Sequence, residues 1–322
     1  MRPVLRPGAP LLRRDAHHLQ IGTTPGAAYV VRERPGMLAL LRMLDGVRDE
    51  HALRDLAGAD LPQFEGDPAE LVDALRAAHV VLDSEAWTRQ PDPTLSGEGR
   101  HLAARGTDAA SITARLARRS RSRVEVSFDE HTEQMGSHVR AILDGSGVPA
   151  SLAPVEDPAL VVVVTAGPCP RDVFEVLAGA GIAHLPVCCE EDRVRIGPLV
   201  RPGHTPCVAC DDHQRAAWDP AWPGLLAQLG QPLARPAVVA PHSLSALIAH
   251  FVAVVIAEDV LAYCDGLHAR AESAAVTVGP QVHELRVEPV AFAPACGCGI
   301  LSDGGATGVR PHDLAPTGTM EA

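Results

Sequence analysis

The sequence predicts an α/β protein in two parts: a winged-helix-like unit of three strands followed by three helices, then a larger domain of Rossmann type that carries a structural zinc. Three observations lead there. Residues 10–82 run through short alternating strands and then switch to helical period. From residue 124 apolar strands and helical stretches take turns, the pattern of a parallel sheet with helices on both faces. Two close cysteine pairs, Cys207/Cys210 and Cys296/Cys298, offer four soft ligands.

In the first part the strand candidates are 11–14, 18–22 and 27–32, separated by Asp15-Ala16 and by the turn signal Thr24-Pro25-Gly26. Met37, Leu40, Leu41 and Leu44 then form a helical stripe with Gly46 as a stop, and a second short helix is expected over 49–58. The third helix is the best marked. Asp67 caps it, Pro68 starts it, Glu70 reaches back toward the cap, and Leu71, Leu75, Ala78 and Leu82 share one face.

Residues 87–123 turn to Pro, Gly, Ser, Thr and Arg, and read as a linker with a short helix around 112–119. Its Arg115, Arg118, Arg119, Arg121 and Arg123 offer an anion site, but a solvated helix face is the preferred reading. The linker leaves a first domain over 1–86, a second over 124–302, and a tail over 303–322 whose Gly, Pro, Thr and acidic residues predict disorder. In the second domain strands are expected at 124–128, 160–165, 185–189 and 193–199, and helices at 134–143, 171–180 and 242–263.

Composition narrows the function classes. The net charge of −12 is spread along 322 residues, which argues against nucleic acid and anionic lipid as partners. All 28 cationic side chains are arginine, so chemistry that needs a lysine is excluded. No signal-peptide pattern opens the chain, and the expected location is the cytoplasm. The apolar run 244–257 ends at Glu258-Asp259, short of a bilayer crossing, and predicts a buried helix.

Cys207-Val208-Ala209-Cys210 and Cys296-Gly297-Cys298 fit a tetrahedral tetrathiolate zinc whose four protein ligands leave no open position for catalysis. A disulfide pair and a redox CxxC are the other readings. A cytosolic setting disfavours the first, and the second needs Cys207 to open a helix after a strand, which the pattern does not suggest. His204 and His213 stand as alternative ligands. Cys169, Cys188, Cys189 and Cys264 lack a partner at metal spacing and read as small buried hydrophobes.

A dinucleotide-type fold needs a glycine-rich turn after its first strand. Here that turn is Asp129-Glu130-His131-Thr132-Glu133-Gln134-Met135-Gly136, with three carboxylates where a triphosphate would lie. After the strand 160–165, Ala166-Gly167-Pro168 stands where a magnesium-binding acid is expected. The fold is implied and nucleotide chemistry is not; no ATP is expected to bind.

Residues 197–210 (Gly-Pro-Leu-Val-Arg-Pro-Gly-His-Thr-Pro-Cys-Val-Ala-Cys), 219–223 (Asp-Pro-Ala-Trp-Pro) and Ala295-Cys296-Gly297-Cys298 resemble the ThiF-like (E1-like) partner proteins of azole-forming YcaO cyclodehydratases. Residues 10–82 resemble the PqqD-like recognition element that binds precursor leaders in the biosynthesis of ribosomally made peptide natural products. The resemblance implies a non-catalytic recruiter that holds a leader peptide and presents it to a YcaO enzyme, which uses ATP to cyclise Cys, Ser or Thr. It places the leader as an added strand along Ala27, Ala28, Tyr29, Val30, Val31 and Arg32, against a helical wall of Leu71, Ala74, Leu75 and Ala78. Arg32, Arg34 and Arg76 would meet acidic leader residues. The helix over 242–263 is apolar on most of its circumference, which together with the resemblance suggests a homodimer. An adenylyltransferase and a winged-helix regulator are the competing functions, the latter disfavoured by Asp67, Glu70 and Asp73 on the third helix.

Overall fold

Short alternating segments pair first. In the computed structural model, which describes residues 1–88, 95–105, 107–229 and 244–299, strands β2 (Leu11–Arg13), β3 (His18–Ile21) and β4 (Tyr29–Arg32) form an antiparallel sheet in the order β2-β3-β4. Leu19 and Ile21 point into the core while His18 and Gln20 alternate outward, the period of two that fixes the register. A further strand, β1 (Pro3–Leu5), pairs antiparallel with β5 (Val81–Asp83), and neither was legible from the pattern.

Three helices cover this sheet: α1 (Met37–Met43), α2 (Glu50–Asp60) and α3 (Pro68–Ala77). Two of their starts are set by capping side chains. Asp49 accepts from the Ala52 amide and Asp67 from the Ala69 amide, and Pro68 occupies the first turn. Gly36 precedes α1 at φ 77°, where an added Cβ would lie 3.1 Å from Phe64. The third helix ends earlier than expected. The chain turns at His79, φ 55°, so Leu82 belongs to β5 and leaves the helical face.

The stretch read as a linker folds instead into helices α4 (Glu85–Thr88), α5 (Ser96–Ala104) and α6 (Ala109–Arg119). Leu95, Leu102, Ala103, Ile112 and Leu116 form a small core of their own. Of its arginines, Arg118, Arg121 and Arg123 are exposed, as a solvated face requires, but Arg119 departs from that reading. Arg119 is buried, chelates Asp265 through two 2.8 Å bonds, and reaches Glu98 and the Ser146 carbonyl with its remaining nitrogen.

Chain contacts divide the protein into two compact units: residues 1–123 with 140–150 and 261–267, and residues 124–139 with 151–260 and 268–322. The second holds most of a seven-stranded sheet built from β6 (Val124–Phe128), β7 (Ala150–Ser151), β8 (Leu160–Ala166), β9 (His184–Glu190), β10 (Arg193–Ile196), β11 (Ala274–Val278) and β12 (Leu285–Pro289). The order is β12-β11-β10-β9-β8-β6-β7. Strand β8 lies between parallel neighbours and reads as an unbroken apolar run because both its faces are covered. The sheet is mixed, not parallel throughout: β9/β10, β10/β11 and β11/β12 are antiparallel ladders. Helices α7 (Glu133–Gly145) and α8 (Arg171–Gly179) connect the parallel strands, followed by α9 (Val208–Trp218), α10 (Trp222–Leu229) and α11 (Ala246–Asp265).

Helix α11 ends at Asp265, two residues past the expected 263. With 20 residues and a mean hydropathy of 1.9 it is long and apolar enough to cross a membrane by length and composition, but 50% of that stretch is buried inside the fold. Within it the Asp259 carboxylate turns inward and accepts from the Ala271 amide. The 303–322 tail and the expected helix start at His242 lie outside the described residues.

Candidate metal centre, crevice and strand edge

Cys207 is the N-cap of α9 and Cys210 lies in the first turn, where the Cys210 amide donates back to the Cys207 carbonyl at 3.0 Å. The second pair arrives on a tight segment: the Cys296 amide bonds to the Ala293 carbonyl, and Gly297–Gly299 form a single 3-10 turn. All four sulfurs lie within 4.8 Å of one another. Sulfur separations of 3.9 Å (Cys207 to Cys210), 3.5 Å (Cys207 to Cys296) and 3.4 Å (Cys210 to Cys298) bracket the roughly 3.8 Å edge of a zinc–thiolate tetrahedron with Zn–S near 2.3 Å. The donor set therefore fits a thiophilic tetrahedral ion. His204 and His213 are not members of the cluster.

Cys207 does open a helix, as a redox CxxC would, and what sets it apart is the second cysteine pair at contact distance. Burial pushes the Cys207 thiol up to about 11 and holds Cys298 high as well. Cys296 is held below the usual thiol value: burial opposes ionisation there, but bonds from the Cys298 amide and neighbouring thiols outweigh it. The helix is braced to the sheet by Arg195, which chelates Asp211 on α9 and reaches Glu288 on β12.

The crevice between the ends of β6 and β8 is the point where the chain leaves its first parallel strand for opposite sides of the sheet, the usual ligand position in such folds. Here the Asp129 carboxylate spans it. Its oxygens accept from the Ala166 amide at the end of β8 (2.5 Å), from the His131 amide (3.0 Å) and from the Thr132 hydroxyl (3.0 Å), while that hydroxyl also meets the Val164 carbonyl. Amides that would greet a phosphate already serve an internal anion. Gly136, the single glycine of the segment 129–136, packs against Phe128, whose ring lies 3.0 Å from where a Cβ would be.

In the first unit, β4 is an edge of its sheet. The Glu33 amide bonds to the His17 carbonyl, so in this register Tyr29 and Val31 bond to β3 while the N–H and C=O of Val30 and Arg32 face away from it. Side chains follow the same alternation, with Val30 42% exposed. Ala27 and Ala28, expected in the strand, form the turn before it, and the Ala27 carbonyl accepts from Arg6. On α3, Ala74 is exposed and Leu71 and Ala78 are half-buried. Leu75 is 1% exposed and belongs to the core, so it cannot line an open groove. Arg76 is paired with Asp73, whereas Arg34 and Arg42 line an open cavity of about 480 Å³ where β4 gives way to α1.

Two other cysteines meet without any sequence signal. Cys169 and Cys188 lie with their sulfurs 3.0 Å apart, contrary to their reading as isolated buried hydrophobes. Cys189 keeps that reading: it is buried, and burial pushes its thiol up to about 12.

No protein-family model matches the chain, and no curated protein matches it. Solved structures do share its fold. A heterocyclase in complex with substrate and cofactor superposes with a TM-score of 0.65 at 14% identity, covering 93% of this chain and 39% of that one. The heterocyclase TruD gives 0.65 at 16% identity over 92% of this chain and 42% of its own. MccB of E. coli, solved with ATP, gives 0.58 at 13% identity over 93% of this chain and 100% of its own. The chain thus spans about two fifths of the two heterocyclases and the full length of MccB. The chain shares with these structures a mixed α/β fold, here built on a seven-stranded sheet.

Proposed function

We propose that this chain is a non-catalytic partner protein that binds the leader of a ribosomally made precursor peptide and presents it to a separate YcaO-type cyclodehydratase. The closed crevice carries the reading: an internal carboxylate holds the amides that a nucleotide phosphate would need, in a chain that has no lysine. The outward-facing edge of β4, beside the Arg34/Arg42 cavity, supports peptide binding by strand addition within a winged-helix-like unit. Support also comes from the fold's occurrence in heterocyclases and in MccB, whose structures include one with MccA. In this reading the tetrathiolate holds zinc structurally, the protein is cytoplasmic, and it pairs as a homodimer through α11, which exposes Leu247 (68%) and Val254 (51%) two turns apart.

The groove is tested on its exposed residues, because Leu75→Glu would only unfold the core. Fluorescence polarisation with a labelled leader from a precursor encoded beside the protein is expected to show binding that Ala74→Arg and Val30→Pro each weaken at least tenfold without lowering the melting temperature to a matching degree. Unchanged affinity in both removes the edge as the binding surface. ATP–pyrophosphate exchange with leader present is expected to be silent, and exchange above background would favour the competing adenylyltransferase reading.

A further inference from the structure

The proposed function leaves the Cys169/Cys188 pair without a task. Nineteen residues separate them, and the parallel register of β8 and β9 brings them together by setting Thr165 opposite Cys188, with Cys169 on the turn that follows β8. Their separation of 3.0 Å is shorter than the roughly 3.8 Å between two thiolates sharing a tetrahedral zinc. It is about 1 Å from a bonded disulfide. The polar surroundings are built for sulfur chemistry. The Cys169 amide donates to the Cys188 sulfur at 3.3 Å, the Thr165 hydroxyl lies 3.0 Å from the Cys169 sulfur, and Arg171, anchored by Asp212, bonds to the Cys169 carbonyl at 2.6 Å. Cys169 is buried, whereas Cys188 keeps partial access to solvent.

We propose that Cys169 and Cys188 form a reversible dithiol–disulfide site that reacts with low-molecular-weight disulfides, Cys188 being the attacking sulfur and Cys169 the resolving one. The Cys188 thiolate displaces one thiolate from the small disulfide and takes up its other half as a mixed disulfide. Cys169 then attacks the Cys188 sulfur, loses its proton to the medium and expels the second thiol. Two electrons leave the protein, and one small disulfide becomes two thiols. Charge placement agrees: the Cys169 bond and the nearby Arg171 hold Cys188 below the usual thiol value, while the same bond and burial raise Cys169. The bond would pin the turn that follows Ala166, whose amide donates to Asp129 across the crevice.

The test is peptide mapping of the full zinc-loaded chain after incubation with oxidised glutathione. The expected product is a Cys169–Cys188 linked peptide, two hydrogens lighter, that dithiothreitol reverses. Cys169→Ser should stop at a glutathione adduct on Cys188, and Cys188→Ser should take up none at either position. No linkage in the unmodified sequence, a stable adduct without closure, or pairing of either residue with another cysteine would each overturn the proposal. Should the serine variants not fold, the map of the unmodified sequence decides alone.

Discussion

Asp259 is the residue whose energetics run against burial. Its carboxyl sits inside α11 with one oxygen bonded to the Ala271 amide at 3.3 Å and the other without a hydrogen-bond partner, and burial raises its pKa. A raised carboxyl pKa means that the folded state holds the proton more tightly, so the group's contribution is best at low pH and is lost as pH rises through the folded value. Asp259→Asn should therefore match the natural sequence in acid and exceed it by roughly 1–3 kcal/mol at neutral pH. Urea unfolding across that range checks it. Metal binding at the cysteine cluster would depend on pH in the opposite sense. Its thiols must shed protons to take a metal, and Cys207 is pushed up to about 11, so zinc affinity should fall as pH drops, by up to about tenfold per pH unit for each proton displaced. Cys210→Ser should lose the metal and with it a share of stability on the order of 10 kcal/mol of binding energy. Zinc content and melting temperature report both.

Helix α6 shows how composition misleads about an element. Its arginine-rich sequence reads as linker or solvated face, yet Arg119 is buried and fully engaged by Asp265, Glu98 and the Ser146 carbonyl. Breaking such a pair strands a charge, so Asp265→Ala should destabilise the protein by about 3–5 kcal/mol, read from denaturant unfolding. The apolar stripe of α1 and the Asp67 cap of α3 were legible because they are set within one or two turns of chain. Strands β1 and β5 were not, since three residues each are too few to carry a period and their pairing joins positions nearly eighty residues apart. Leu75 likewise fits the helical pattern of a groove wall and of a core residue equally well, and packing against the rest of the cluster decides for the core.

For the protein as an assembled object, the exposed stripe of α11 makes the oligomeric state testable. Light scattering at micromolar concentration is expected to give a dimer, and Leu247→Glu with Val254→Glu is expected to give a monomer that remains folded, since neither side chain is in the core. A monomer in the unmodified chain would remove the pairing.

By itself, the sequence determined the two close cysteine pairs, the capped start of α3, the apolar β8 strand and the absence of a glycine-rich phosphate turn. Each of these is set by residue type at short spacing, where local stereochemistry and ligand chemistry leave few alternatives. Tertiary structure alone decided that the sheet is mixed, that Asp129 reaches Ala166 across the crevice, that Arg119 finds Asp265, and that Cys169 meets Cys188. Those are contacts between residues from about twenty to almost a hundred and fifty positions apart, and only the register of strands and the packing of helices brings such side chains within bonding distance.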